Sequence, residues 1–79
     1  MIPIGTYMRD SNGLYFYKII DHIFINDFKI RGYTCLCWDV EIDSIRVMKF
    51  HEQTMLTDKK KMNKNEVQKF EERLGEVNE

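Results

Sequence analysis

The clearest structural signal in this chain lies at residues 36–51, with the sequence LCWDVEIDSIRVMKFH. Its first half alternates apolar and polar residues, with Leu36, Trp38 and Val40 at every second position. Because successive side chains of a strand point to opposite faces, this alternation is typical of a strand with one buried face. The stretch therefore predicts a β-hairpin with Trp38 on its apolar side.

The middle of that stretch predicts a tight turn. A two-residue loop at residues 43–44 places Val40 opposite Val47, with both side chains on the inner face. The same register places Glu41 opposite Arg46 as an ion pair on the outer face. A shift of one residue would remove both matches, because it moves every side chain to the other face of the sheet.

Several further segments have the composition of strands. Residues 14–24 are rich in Tyr, Phe and Ile, and they are apolar on both faces if a bulge occurs near residues 19–20. A strand of this kind needs cover on both sides. Turn signals flank it at Asn12-Gly13 and at Asn26-Asp27. The other predicted strands are residues 5–9, 29–42, 45–51 and, as a short fifth strand, 53–57.

The C-terminal part of the chain predicts one amphipathic helix, at residues 63–75. Asn63 and Glu66 have the spacing of a capping box at its start. The apolar stripe of the helix consists of Val67, Phe70 and Leu74. Gly75 is a typical C-terminal stop. An isolated helix of this length is marginal in water, so we expect it to pack on the sheet.

Together these elements predict a single domain, residues 1–79, of the mainly β (α+β) class. We expect strands within residues 1–57, a loop at 58–62, the helix at 63–75 and a tail at 76–79. Four or five strands followed by one helix favour a small curved antiparallel sheet, or a partly open barrel of SH3-like or OB-like shape. The main alternative is an open antiparallel sheet with the helix on one face. This description of shape carries no function with it.

Composition and charge argue against several classes of protein. The formal net charge is −1, whereas a nucleic-acid-binding domain usually carries a basic face. Residues 1–4 lack the positive leader of a signal peptide, and no apolar run approaches the roughly 20 residues of a membrane span. We therefore expect a cytoplasmic protein without membrane contact, in which Cys35 and Cys37 are reduced. The absence of alanine, with abundant isoleucine, lysine and asparagine, fits a low-GC genome such as that of a phage.

No motif in the sequence predicts catalysis, a metal site or a cofactor. Cys35, Cys37, His22 and His51 are zinc-ligand types, but their spacing does not match the common zinc patterns. A cysteine nucleophile would need a nearby base and an orienting group, and the sequence supplies no evident third group. The acidic residues at 39, 41 and 43 are expected to form a solvated sheet face.

Aromatic and basic residues on the predicted sheet form the most informative group for function. We predict a binding surface made of Tyr15, Tyr17, Tyr33, Arg31, Arg9 and Lys18. Binding energy at interfaces concentrates in aromatic and arginine side chains, which favours a protein partner held by the second strand and by an exposed edge near Tyr33. The same residue types also stack bases and contact phosphates, so a nucleotide or single-stranded nucleic acid is the alternative ligand.

From these features we expect a non-enzymatic binding module that acts as a regulator, adaptor or inhibitor through protein–protein interaction. One helix is too small to cover all of the apolar sheet surface, and contiguous exposed apolar surface usually marks an interaction site. A second copy of the chain would also hide this surface, so a homo-oligomer is an alternative assembly.

Overall fold

The computed structural model describes residues 1–25 and 30–78 of the chain. The elements, in chain order, are β1 Tyr7–Asp10, β2 Tyr15–Ile25, β3 Ile30–Asp39, β4 Ser44–His51, α1 Glu52–Asp58, β5 Lys59–Lys61 and α2 Lys64–Asn78. The strands form one antiparallel sheet with the order β4-β3-β2-β1-β5. The turn predicted at Asn26-Asp27 and the strand start predicted at Lys29 lie outside the described residues.

The predicted mainly β class is confirmed, and the sheet is open. Its two outer strands, β4 and β5, lie at opposite ends of the strand order. A barrel of SH3-like or OB-like shape is therefore not confirmed. The expectation of one helix is wrong, because a second helix, α1, follows β4 directly. The two helices contribute to different apolar clusters, so both faces of the sheet have cover.

The bulge predicted in β2 is confirmed and decides which side chains enter the core. Ile19 lies opposite Cys35 and Asp21 lies opposite Thr34, so Ile20 is the extra residue. An extra residue shifts the alternation of the strand by one position. Ile19 before the bulge and His22 after it consequently share one face, on which the His22 ring lies edge-on to Tyr33.

The β3–β4 hairpin keeps its predicted faces but not its predicted register. Trp38 lies opposite Ile45 and Leu36 lies opposite Val47, because the loop spans residues 40–43 rather than 43–44. The expected pairing of Val40 with Val47 and of Glu41 with Arg46 is therefore wrong. The register differs by four residues, an even number, which leaves every side chain on its original face.

Asp43 accounts for the longer loop. Its φ of 53° is in the left-handed region, which Asp and Asn tolerate better than most residues. Its carboxylate oxygen Oδ1 accepts a hydrogen bond from Trp38 Nε1 at 2.9 Å. The same oxygen is 2.7 Å from Nε of Arg73, on α2. The loop thus joins the hairpin to the last helix.

Two predicted segments between residues 53 and 62 have different structures. The predicted strand at 53–57 is wrong, because residues Glu52–Asp58 form helix α1, in which only Met55 is buried. The predicted loop at 58–62 is also wrong, because it contains β5, which pairs with β1. Lys59 places its ammonium group 2.5 Å from the carboxylate of Asp10 on β1, which neutralises one charge of this lysine-rich strand.

Helix α2 begins as predicted and covers one face of the sheet. Its capping box is confirmed: the Asn63 amide donates to Glu66 Oε1 at 3.0 Å, and the Glu66 amide donates to Asn63 Oδ1 at 2.9 Å. Gly75 does not end the helix, which continues to Asn78. Phe70 is fully buried, with its ring centroid 5.8 Å from that of Trp38.

The opposite face is covered by α1 and by the N-terminal segment. Its buried residues are Met8, Tyr17, Ile19, Tyr33, Cys35, Cys37 and Met55. The main chain of Ile2 is held from both sides. Its amide donates to the Tyr33 hydroxyl at 2.8 Å, and its carbonyl accepts from His22 Nε2 at 2.6 Å. These bonds fix the segment before β1 against this face.

We expect Met55→Ala to lower the free energy of unfolding by about 2–5 kcal/mol, because it leaves a cavity under α1. Leu56→Ala, at a side chain that is 60% exposed, should change it by less than about 0.5 kcal/mol. Urea unfolding followed by circular dichroism measures both values. Equal effects at the two neighbouring positions would contradict the placement of α1, and Met55→Leu serves as a variant that retains the volume.

We expect Asp43→Asn to lower the melting temperature at neutral pH and to have little effect in acid. Hydrogen bonds from Arg73 and Trp38 hold the pKa of the Asp43 carboxyl below its ordinary value of 3.8. A lowered folded-state pKa stabilises the fold above the ordinary value, and this contribution is lost as the pH falls through the folded-state value. Asparagine keeps the tolerance for positive φ, so the comparison isolates the charge.

Thermal melts of both proteins at about pH 7 and about pH 2.5 measure this contribution. Glu41→Gln, at an exposed position of the same loop, is the matched control and should match the wild type at both pH values. A difference between Asp43→Asn and the wild type that persists unchanged in acid would show that the charge of Asp43 has no part in it.

Candidate functional site

Two of the predicted binding residues, Tyr17 and Tyr33, are core residues. Their exposed fractions are 3% and 0%. The Tyr17 ring lies edge-on to Phe50, with the centroids 5.1 Å apart. Burial and the neighbouring Asp10 carboxylate raise the pKa of the Tyr17 hydroxyl well above its ordinary value. Base stacking on these two rings would require both to leave the core.

The other four predicted residues do not form a single surface. Tyr15 is half-buried beside the α1-side core, while Arg31 is exposed at the start of β3. Lys18 lies over the Tyr7 ring at 5.4 Å from its centroid. Nε of Arg9 is 3.4 Å from Glu66 Oε2 on α2. Strand alternation places Lys18 and Arg9 on the α2 face and Tyr15 on the other, so no single flat ligand contacts all four.

The predicted edge near Tyr33 is wrong, because β3 lies between β2 and β4. The edges of the sheet are β4, with eight residues, and β5, with three. Within the described residues, β4 pairs only with β3. Alternate backbone N–H and C=O groups of an edge strand point outward and are free to bond with another strand.

Next to this edge, part of the α2 face of the sheet is apolar and exposed. Val47 on β4 is 59% exposed, and Leu36, directly opposite it on β3, is half-buried. Ile20, the extra residue of the β2 bulge, is 37% exposed, and we call these three residues the apolar row. The buried part of this face, around Phe16 and Trp38, lies under α2. On β4 the cluster under α2 includes Ile45, whereas Val47, two residues on, remains exposed on the same face.

The sequence of β4 has features of an edge strand, but the predicted hairpin register did not indicate them. The predicted register placed Val47 opposite Val40, which made it an inner residue. In β4, apolar residues occur on both faces: Ile45 and Val47 on one, Met48 and Phe50 on the other. Exposed cations among the apolar residues, at Arg46 and Lys49, are typical of an edge strand.

A shallow groove of about 790 Å³ lies where the end of β4 meets α1. Its lining residues are Ile30, Arg31, His51, Glu52, Gln53, Thr54 and Thr57. The groove has side chains that donate and accept hydrogen bonds, and both signs of charge occur in it. It brings the predicted residue Arg31 to the same end of the sheet as the last residue of β4.

The two cysteines are poor candidates for chemistry. Both are fully buried and unpaired. Burial, with a smaller effect of Cys37, raises the pKa of the Cys35 thiol to about 12, and burial raises the pKa of Cys37 as well. The reactive form of cysteine is the thiolate, so these two side chains behave as small apolar residues of the core.

Comparisons with known proteins give no relative that indicates the function of this site. No family model, curated protein or solved structure matches the chain. In the described ranges, 1–25 and 30–78, no group of three His, Cys, Asp or Glu side chains is arranged to hold a metal ion. Neither described helix has the length and apolar character needed to cross a membrane.

We expect neither cysteine to react with Ellman's reagent while the protein is folded, because both thiols are buried and protonated. Absorbance at about pH 8 should show two thiols per chain only after addition of denaturant. Leu56→Cys places a third thiol at an exposed position and should release one equivalent at once. Immediate reaction of two thiols in the wild type would contradict the burial of β3.

Proposed function

We propose that this protein is a non-enzymatic binding module that acts through protein–protein interaction, as a regulator, adaptor or inhibitor. The proposed contact surface is the outer side of β4 together with Ile20, Leu36 and Val47. One observation carries this proposal: among residues 1–25 and 30–78, the eight-residue strand β4 pairs on one side only, and the exposed Val47 lies on it. Backbone hydrogen bonds would provide affinity, and the row would add apolar contact area.

The contrast between the two edges supports the choice of β4. β5 is three residues long and consists entirely of lysine, which is a common way to prevent unwanted pairing at an edge. β4 is longer and carries four apolar residues among its eight. A partner strand would therefore find more backbone groups and more apolar surface on β4 than on β5.

The state of the candidate nucleophiles supports a binding role rather than a catalytic one. Cys35 and Cys37 are buried, and burial raises the pKa of both thiols. A cytoplasmic location forms part of the proposal, since reduced, unpaired cysteines are typical of that compartment. Arg31, at the groove beside the end of β4, is the predicted binding residue best placed to extend the contact.

We expect a photo-crosslinking residue, p-benzoylphenylalanine, at position 47 to give one discrete protein adduct in the cells that make this protein. The matched control replaces Gln68, an exposed residue of α2, and should give no such adduct. The partner identified by mass spectrometry, once purified, should slow amide hydrogen exchange across residues 44–51, because these amides become hydrogen-bonded.

Three results would contradict the proposal. The first is the same adduct from positions 47 and 68. The second is a purified partner that leaves the exchange of residues 44–51 unchanged. The third is an adduct that nuclease treatment removes, together with salt-dependent binding of short oligonucleotides, which would instead support the nucleic-acid alternative.

A further inference from the structure

The exposed charges of β4 are all positive. Arg46 and Lys49 are both exposed, and the strand Ser44–His51 contains no carboxylate. Within the described residues, neither of these two side chains takes part in an ion pair. Arg9, Lys59 and Arg73 do form ion pairs, with carboxylates on other elements. Arg46 lies beside the Cys37 thiol, and its hydrogen bond and charge act to lower the pKa of that thiol. Among the described residues, the β4 edge thus presents two exposed cations that form no ion pair with a carboxylate.

Strand geometry determines the spacing of the carboxylates that a partner strand would need to pair with Arg46 and Lys49. Residues directly opposite each other on neighbouring strands have their side chains on the same face. Arg46 and Lys49 are three residues apart, so their side chains lie on opposite faces of the sheet. Carboxylates opposite them must also be three residues apart, and the two residues between these carboxylates lie opposite Val47 and Met48.

From this we infer the kind of partner that the proposed binding edge takes: an extended acidic segment of another protein. Its sequence pattern would be acid–apolar–apolar–acid. The two carboxylates pair with Arg46 and Lys49, and the two apolar side chains lie beside Val47 and Met48. This inference rests on the proposed function, because it names the chemistry of the partner that adds to β4.

A second copy of the chain fits this edge less well. Two-fold pairing of β4 with itself requires one residue to lie opposite its own copy. A pair centred on Arg46 or on Lys49 brings like charges together, which is destabilising. A pair centred on Val47 places Arg46 opposite Met48 and Lys49 opposite Ile45. The cations of both copies then stay without carboxylates.

The test uses two synthetic peptides with fluorescent labels, TVEVVEVT and TVKVVKVT. Their charge pattern is the same in both chain directions, so each peptide tests parallel and antiparallel addition. We expect the glutamate peptide to bind the wild-type protein at least about tenfold more tightly than the lysine peptide in fluorescence anisotropy titrations, and the difference to shrink at high salt. It should also slow hydrogen exchange at residues 44–51.

A charge-reversed protein supplies the matched comparison. Arg46→Glu combined with Lys49→Glu should reverse the order of the two peptides. Both side chains are exposed, and circular dichroism confirms the fold of the variant. Arg46→Gln combined with Lys49→Gln is the second variant and should remove the preference without reversing it.

The outcomes separate this inference from the proposed function. Equal affinity for both peptides, with equal slowing of exchange in β4, would overturn the acidic partner and keep β4 as the binding edge. Hydrogen exchange in β4 could also slow at high protein concentration without peptide, together with a doubled solution mass. That result would identify a second copy as the occupant and would overturn the acidic partner. Failure of both peptides to slow exchange in β4 would also overturn the inference, while the crosslinking experiment decides the proposed function separately.

Discussion

The structure depends on one constraint: the central strands β2 and β3 are apolar on both faces. Phe16 and Trp38 point to one side, while Tyr17 and Cys37 point to the other, at directly opposed positions of the two strands. Each face stabilises the fold only if apolar side chains from another element cover it and remove its apolar surface from water. Met55 on α1 and the N-terminal segment at Ile2 cover one face, and Phe70 on α2 covers the other.

The position of the two helices determines which part of the sheet stays exposed. α2 packs against Trp38 and Phe16, and it is joined to the sheet by the ion pair of Glu66 with Arg9 and to the hairpin loop by that of Arg73 with Asp43. A single helix in this position covers one part of a five-stranded sheet. On β4, Ile45 packs against the cluster under α2 and Val47 stays exposed, so the exposed part of this face includes a residue of the edge strand.

The same constraint buries five of the nine aromatic side chains among the described residues: Phe16, Tyr17, Tyr33, Trp38 and Phe70. A chain of 79 residues has a high ratio of surface to volume, and it needs large side chains to build two separate cores. Tyr17 and Tyr33 serve this purpose, with their hydroxyl groups bonded to Asp10 and to the Ile2 amide. The proposed binding surface therefore consists of the backbone of β4 and of smaller side chains beside it.

Local sequence determined the mainly β class, the β2 bulge, the faces of the hairpin and the start of α2. Each of these depends on alternation, on helical spacing or on a capping pair within a few residues. Tertiary structure decided the register of the hairpin, since Asp43 bonds to Trp38 and Arg73 only after the loop and α2 come together. It also decided that residues 52–58 are helical, because the helix packs Met55 into the core on the α1-side face. The order of the strands made β4, rather than β3, an edge of the sheet. These features depend on contacts between residues far apart in the chain, and a periodicity measured along the chain carries no information about which distant segment completes a core.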